Sequence, residues 1–197
     1  LSREEAISSL ETVAELDAQL ASAKENGLEL LSPRGVSAAR QQLEESLASA
    51  QRGYTAEAER LAGEGLSRLE QATSDSRKAA DALREVLARR QRAVAAGAPD
   101  LLPERFEELD DQLRDAARLA ESGDLESAKD AGPELLRGYS SLELDALKVD
   151  ATELARNAID EARDAGAERY AEDTFKRAKK EFSLANGILE TDRSQIA

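Results

Sequence analysis

Chain breakers recur in this sequence at an interval of about 70 residues, and no other feature limits its folding as strongly. Displaced by 70, Gly27 falls on Gly97, Pro33 on Pro103 and Gly53 on Gly123. Between them Gln42-Leu43 meets Gln112-Leu113, Ala50 meets Ala120, Ala58 meets Ala128 and Leu66 meets Leu136. A further displacement of 69 puts Ala93, Ala96, Gly97 and Ala98 on Ala162, Ala165, Gly166 and Ala167. Phe106 then falls on Phe175 and Leu113 on Phe182. Self-similarity at such a period is the mark of stacked supersecondary units. It divides the chain into residues 1–72, 73–142 and 143–197, the third copy being the short one.

Each breaker has a physical reading. Asn26-Gly27, Ala96-Gly97 and Ala165-Gly166 end apolar-periodic runs, where a left-handed C-terminal residue belongs. A short link follows. Pro33 and Pro103 then stand in a first helical turn, where the missing N–H costs nothing; copy three has Glu172 there. The next helix carries one apolar seam: Val36, Ala39, Leu43, Leu47 and Ala50; Phe106, Leu109, Leu113, Ala116 and Ala120; Phe175, Ala178, Phe182, Ala185 and Leu189. A turn is predicted after it, at Arg52-Gly53-Tyr54, Ser122-Gly123-Asp124 and Thr191-Asp192-Arg193.

Helical pattern then resumes, from about Thr55 to Ala96 and from about Leu125 to Ala165. Unbroken, each stretch would span ~63 Å. Gly63 and Gly65, the polar run Thr73-Ser74-Asp75-Ser76, and Gly132-Pro133 with Gly138 are the predicted weak points. A kink is expected near Gly132, because proline removes a helical hydrogen bond. The expected architecture is all-α: tandem antiparallel three-helix bundles of about 70 residues that share long continuous helices, elongated in the manner of spectrin-type rods.

Composition supports helices and removes most chemistry. Of 197 residues 37 are Ala and 28 are Leu, both strong helix formers, and a core built largely on Ala is thin. There is no His and no Cys, so no imidazole base, thiolate nucleophile or disulfide is available. No catalytic constellation, cofactor site or metal site is found; no SxxK pattern occurs. The net charge of −14, with −4 in residues 1–100 and −10 in 101–197, argues against nucleic acid and against an anionic membrane surface. No run suggests insertion into a membrane. The chain begins at Leu1, not Met, and Ala197 aligns with Ala128, where the third helix of a copy starts; a piece of a longer protein is expected.

Several clusters invite a functional reading beside a simpler one. Arg84, Arg89, Arg90 and Arg92 could grip an acidic partner, but cations also favour a helix C-terminus. Lys176, Arg177, Lys179 and Lys180 suit exposed ion pairs with Glu172, Asp173 and Glu181. Glu107, Glu108, Asp110 and Asp111 spread around a helix rather than converging on a cation. Gly63-Glu64-Gly65 lacks the context of a phosphate loop. The six aromatics (Phe106, Phe175, Phe182, Tyr54, Tyr139 and Tyr170) fall on or beside the seams and are expected to anchor the bundle cores. The alternative for them is a small-molecule pocket between helices, against which Ala-rich seams weigh.

Residues 158–182 carry a family resemblance. They read Ala158-Ile159, Ala162, Ala165-Gly166-Ala167, Tyr170-Ala171-Glu172-Asp173, Phe175, Ala178 and Phe182. Ala95-Ala96-Gly97-Ala98, Leu102-Pro103-Glu104 and Ser122-Gly123-Asp124 echo it in copy two, and Gly27, Ser32-Pro33 and Gly53-Tyr54 in copy one. This resembles a bacterial envelope helical-repeat domain of unknown function with the pattern AxxAGAxxYAPxxL, often found upstream of an OmpA-like peptidoglycan-binding domain. The resemblance implies an exported, periplasmic or outer-membrane-anchored lipoprotein and brings no catalytic residues. The function expected is therefore a non-catalytic extended spacer or protein-binding scaffold in the cell envelope, with an unidentified protein partner. Exposed Ala/Leu stripes could also pair two chains as a homo-oligomer. The alternative function is a small-molecule-sensing helical bundle.

Overall fold

The computed structural model describes residues 2–196, with side chains placed as far as residue 188. Among them every regular element is an α-helix. In chain order they are α1 (Arg3–Ser9), α2 (Glu11–Glu25), α3 (Leu28–Leu31), α4 (Pro33–Gln51), α5 (Thr55–Ala82) and α6 (Arg84–Ala95). There follow α7 (Ala98–Leu101), α8 (Pro103–Glu121), α9 (Leu125–Asp130), α10 (Gly132–Asp164), α11 (Ala167–Tyr170) and α12 (Glu172–Ile196). The protein is all-α.

Glycine in the left-handed region stops the helices. Gly27, Gly97 and Gly166 have φ of 70°, 78° and 81°. Each opens a single four-residue helical turn (α3, α7 and α11), which is the link predicted between the stop and the next helix. That turn closes on Ser32, Leu102 or Ala171, with φ of −142°, −139° and −146°. Gly53 and Gly123, at φ 86° and 89°, make the other reversal. Tyr54 N–H donates to Ser49 O at 3.0 Å and Gly53 N–H to Ala50 O at 2.9 Å. Asp124 to Leu119 and Gly123 to Ala120 repeat this pair at 3.0 Å each. Both satisfy carbonyls that a helix end leaves open.

Three expectations need correction. The turn at Thr191-Asp192-Arg193 does not form, and helical backbone continues to Ile196. Asp192 stands where Gly53 and Gly123 stand, and a residue with a Cβ avoids the left-handed conformation that the turn needs. The long stretch from Thr55 does not loosen at Gly63, Gly65 or Thr73–Ser76; it breaks at Leu83, between α5 and α6. The hydroxyls of Thr73 and Ser76 instead bond back to Leu69 O and Thr73 O, at 2.9 Å each, within the helix. The third is that the copy-three seam does not close: Phe175 is buried, Phe182 is half-buried, and Ala178 and Ala185 are exposed. Leu189 lies outside the described side chains. The kink expected near Gly132 is present, as the break at Ala131 between α9 and α10.

The chain forms two compact units. The first comprises Leu1–Arg89 with Glu107–Gly138. In it α2, α4 and α5 pack against one another. Ser46 Oγ donates to Ala58 O at 2.6 Å, Gly35 abuts Ala72, and Gly65 sits against Gln42 and Leu16. Those pairings make α4 antiparallel to α5 and set α2 parallel to it. All five predicted seam residues of α4 are buried. A second cluster joins Ala79, Ala117, Ala120 and Ala128 beneath Leu31 and Leu125.

One carboxylate ties distant parts of this unit together. Ser32, fully buried before α4, does not cap that helix itself. Glu121, at the end of α8, does so. Its Oε1 accepts from Ser32 Oγ at 2.5 Å and from Gly35 N–H at 2.9 Å, and its Oε2 from Arg34 N–H at 3.1 Å. A negative charge here meets the positive end of the α4 dipole and satisfies open backbone donors.

The second unit comprises Arg90–Phe106 with Tyr139–Ala197. Tyr139, Leu142 and Ala146 are fully buried. The Phe106 and Tyr139 rings meet edge to face, centroids 6.4 Å apart at 68°. Arg90 lies 5.0 Å over the Phe106 ring, and Arg105 pairs with Asp145 at 2.7 Å.

Two glycines two residues apart on α5, on opposite faces of the helix, should respond oppositely to alanine. A Cβ on Gly65 would come within 2.5 Å of Leu16 Cδ2, whereas one on Gly63 would meet nothing within 4 Å. Chemical denaturation should show Gly65→Ala destabilised by about 1–3 kcal/mol and Gly63→Ala stabilised by about 0.5–1 kcal/mol. Glu121→Ala should lose about 2 kcal/mol, because a buried hydroxyl and two amides lose their acceptor. Glu121→Gln, which keeps one oxygen, should lose less in the same measurement.

Candidate functional site

The first unit contains a cleft of about 320 Å³ where the end of α2, Gly27 and α3 face α5. Leu28, Leu31 and Leu69 give it an apolar wall, and Gln19, Asn26 and Thr73 are among its polar lining. No charged residue lines it. Its polar side chains are already engaged: Gln19 donates to Glu15 Oε1 at 3.0 Å, Asn26 to Ser22 Oγ at 3.0 Å and Thr73 to Leu69 O at 2.9 Å. Such a cleft can hold a small neutral molecule by shape and weak hydrogen bonds. Sequence reasoning passed over it. No local motif marks it, since its lining comes from α2, α3 and α5.

The charged clusters do not assemble into sites. Arg84 pairs with Asp81 at 2.8 Å, and Arg90 stacks on Phe106. Lys176 pairs with Glu172, and Lys179 lies 5.6 Å over the Phe175 ring. Of the four carboxylates at 107–111, Glu107 and Asp111 bind Arg114 at 2.7 and 2.5 Å, Asp110 is buried, and Glu108 is exposed. Among the described residues no group of three or more Asp, Glu, His or Cys converges to hold a metal. Gly63-Glu64-Gly65 is mid-helix, with Glu64 paired to Arg60.

Several groups at helix ends and in ion pairs have shifted ionisation. Hydrogen bonds from Ser127 hold the Asp124 carboxyl below its usual range as it caps α9. Lys78 and then Gln71 do the same for Asp75, and the Arg60 guanidinium does so for Glu57. Burial works against the Arg114 charge, but the bonds from Asp111 and Glu107 outweigh it. None of these groups lines the cleft. This is the pattern of capping and surface pairing.

The aromatics divide. Phe106, Tyr139 and Phe175 are buried as expected, whereas Tyr54 and Tyr170 are 63% and 80% exposed and do not anchor a core. In the second unit Leu144, Leu147 and Leu154 on α10, and Leu184 and Ile188 on α12, are also exposed. Sequence reasoning expected exposed Ala/Leu stripes on the long helices, and these leucines lie on α10 and α12. Among the described residues no helix is long and apolar enough to cross a membrane.

Neither a known protein family, nor a curated protein, nor a solved structure matches the chain.

Proposed function

We propose that the chain is a non-catalytic structural and interaction segment of a bacterial cell-envelope protein. In this reading it is a tandem array of antiparallel three-helix bundles of about 70 residues. Helices shared between successive bundles make it an extended spacer or a scaffold for a protein partner, periplasmic or held at the outer membrane. The observation that carries the array is the recurrence of one local device: left-handed glycines at 27, 97 and 166, each followed by a four-residue helical turn and a long helix. Left-handed Gly53 and Gly123 repeat the second reversal 70 residues apart. The mutual packing of α2, α4 and α5 is the unit such a device would build repeatedly. The envelope location rests on the resemblance of residues 158–182 to the AxxAGAxxYAPxxL domain.

Small-angle scattering at several concentrations tests the array. A compact chain of this length has a radius of gyration near ~16 Å. The proposed array should give more than ~22 Å, since helices of ~20 residues make bundles of roughly 30 Å that lie end to end. A value near the compact one would sink the reading.

The cleft of about 320 Å³ in the first unit favours a second reading, a small-molecule-sensing bundle. A neutral ligand carrying hydroxyl or amide groups should then raise Tm by several degrees at about 100 times its Kd. Ala23→Phe, which fills the cleft, should abolish that shift. A broad neutral-compound screen with no such shift would remove this reading.

A further inference from the structure

We propose that Asn26 is a site of spontaneous deamidation, converted through a cyclic imide with Gly27 into aspartate and isoaspartate, and that the fold directs this reaction to Asn26 and away from Asn186. The modification is a property of the chain whichever function it serves.

The sequence contains two Asn-Gly pairs, Asn26-Gly27 and Asn186-Gly187. In such a pair the main-chain nitrogen of glycine can attack the side-chain carbonyl carbon of asparagine, because no Cβ stands beside that nitrogen and the glycine backbone turns freely. The Gly27 nitrogen gives its proton to solvent hydroxide and bonds to Asn26 Cγ. The Cγ–Nδ2 bond breaks, and the nitrogen leaves as ammonia after taking a proton from water. Water then opens the cyclic imide. Addition at Cγ gives aspartate. Addition at the main-chain carbonyl carbon gives isoaspartate, in which the chain runs through Cβ and Cγ. The sum is asparagine plus water to aspartate or isoaspartate plus ammonia, and nothing is oxidised or reduced.

The fold treats the two pairs differently. Asn186 lies within α12, and a helix interior holds each amide N–H on the carbonyl four residues back. Attack there must first break helix on both sides. Asn26 directly follows α2 and is exposed, with φ −85° and ψ 4°. The Gly27 N–H reaches Lys24 O at 3.3 Å, a long hydrogen bond. A Cβ on Gly27 would meet nothing within 4 Å, so the flank of the attacking group is open. Turning Asn26 about ψ displaces α3 first, and none of its four residues is buried. A helix end of this kind opens at little cost, whereas a helix interior does not. Asn26 Nδ2 also donates to Ser22 Oγ at 3.0 Å. The leaving nitrogen therefore rests on a hydroxyl that can return a hydrogen bond as ammonia forms.

Each product alters its surroundings. A carboxylate at this point adds to the negative end of the α2 dipole and enters a cleft whose lining carries no charge. Isoaspartate also lengthens the backbone by one atom immediately before Gly27. That displaces α3 and the residue after it, Ser32, whose hydroxyl is held by Glu121 at 2.5 Å.

Storage of the full chain in mildly alkaline buffer made with heavy-oxygen water, followed by peptide mass spectrometry, tests this. The peptide containing residue 26 should exchange its amide nitrogen for one heavy oxygen, and electron-transfer fragmentation should find both aspartate and isoaspartate there. In the folded chain residue 26 should convert roughly tenfold faster than residue 186, or more, and in a denaturing concentration of urea the two rates should converge. Asn26→Gln, whose extra methylene demands a larger ring, should remove the signal with helical circular dichroism unchanged. An Asn26 that reacts only in urea, a residue 186 that keeps pace with it in the folded chain, aspartate formed without isoaspartate, or heavy-oxygen uptake that persists in Asn26→Gln would overturn the proposal.

Discussion

Left-handed glycine is the constraint on which the rest of this structure depends. A chain so rich in Ala, Leu, Glu and Arg would run on as helix wherever nothing prevents it. Five glycines with positive φ, and no other residue, enter the left-handed region among the described residues. Each stands between consecutive helices. Asp192 is the control that the sequence itself provides: at the place of Gly53 and Gly123 a side chain is present, and the helix does not stop. Helix propensity supplies the material here, and five missing Cβ atoms set the left-handed reversals within it.

The seams depend on a second kind of glycine, together with alanine and serine. Gly35 lies where two helices come too close for a Cβ, against Ala72, and Gly65 leaves the room that the Leu16 side chain fills. Short approach compensates for thin side chains, because close contact recovers dispersion that small residues cannot gain by area. Backbone polar groups then come within reach of neighbours, as when Ser46 donates to Ala58 O across α4 and α5. Glu121 extends the logic to a helix end. Where most N-caps are satisfied by the residue next in sequence, α4 borrows its acceptor from α8, 87 residues away from Arg34. Local helix structure and distant packing thus become one cooperative feature.

The legibility of the fold follows the range of the forces involved. The stops at Gly27, Gly53, Gly97, Gly123 and Gly166, the first-turn prolines and the seam of α4 are local matters, and all could be read from spacing. The break at Leu83 could not. Gly63, Gly65 and Thr73–Ser76 are weaker helix formers than Leu83, yet α5 holds through them because packing against α2 and α4 outweighs propensity over that stretch. Glu121 was equally hidden, since a carboxylate on a polar helix end looks like solvent-facing charge until the fold brings Ser32 to it. The cleft near Leu69 is a product of three elements meeting and has no single motif. The aromatics misled in part for a different reason: Tyr54 and Tyr170 adjoin turns, where a ring can lie along the surface, and sequence periodicity does not separate that from a core position.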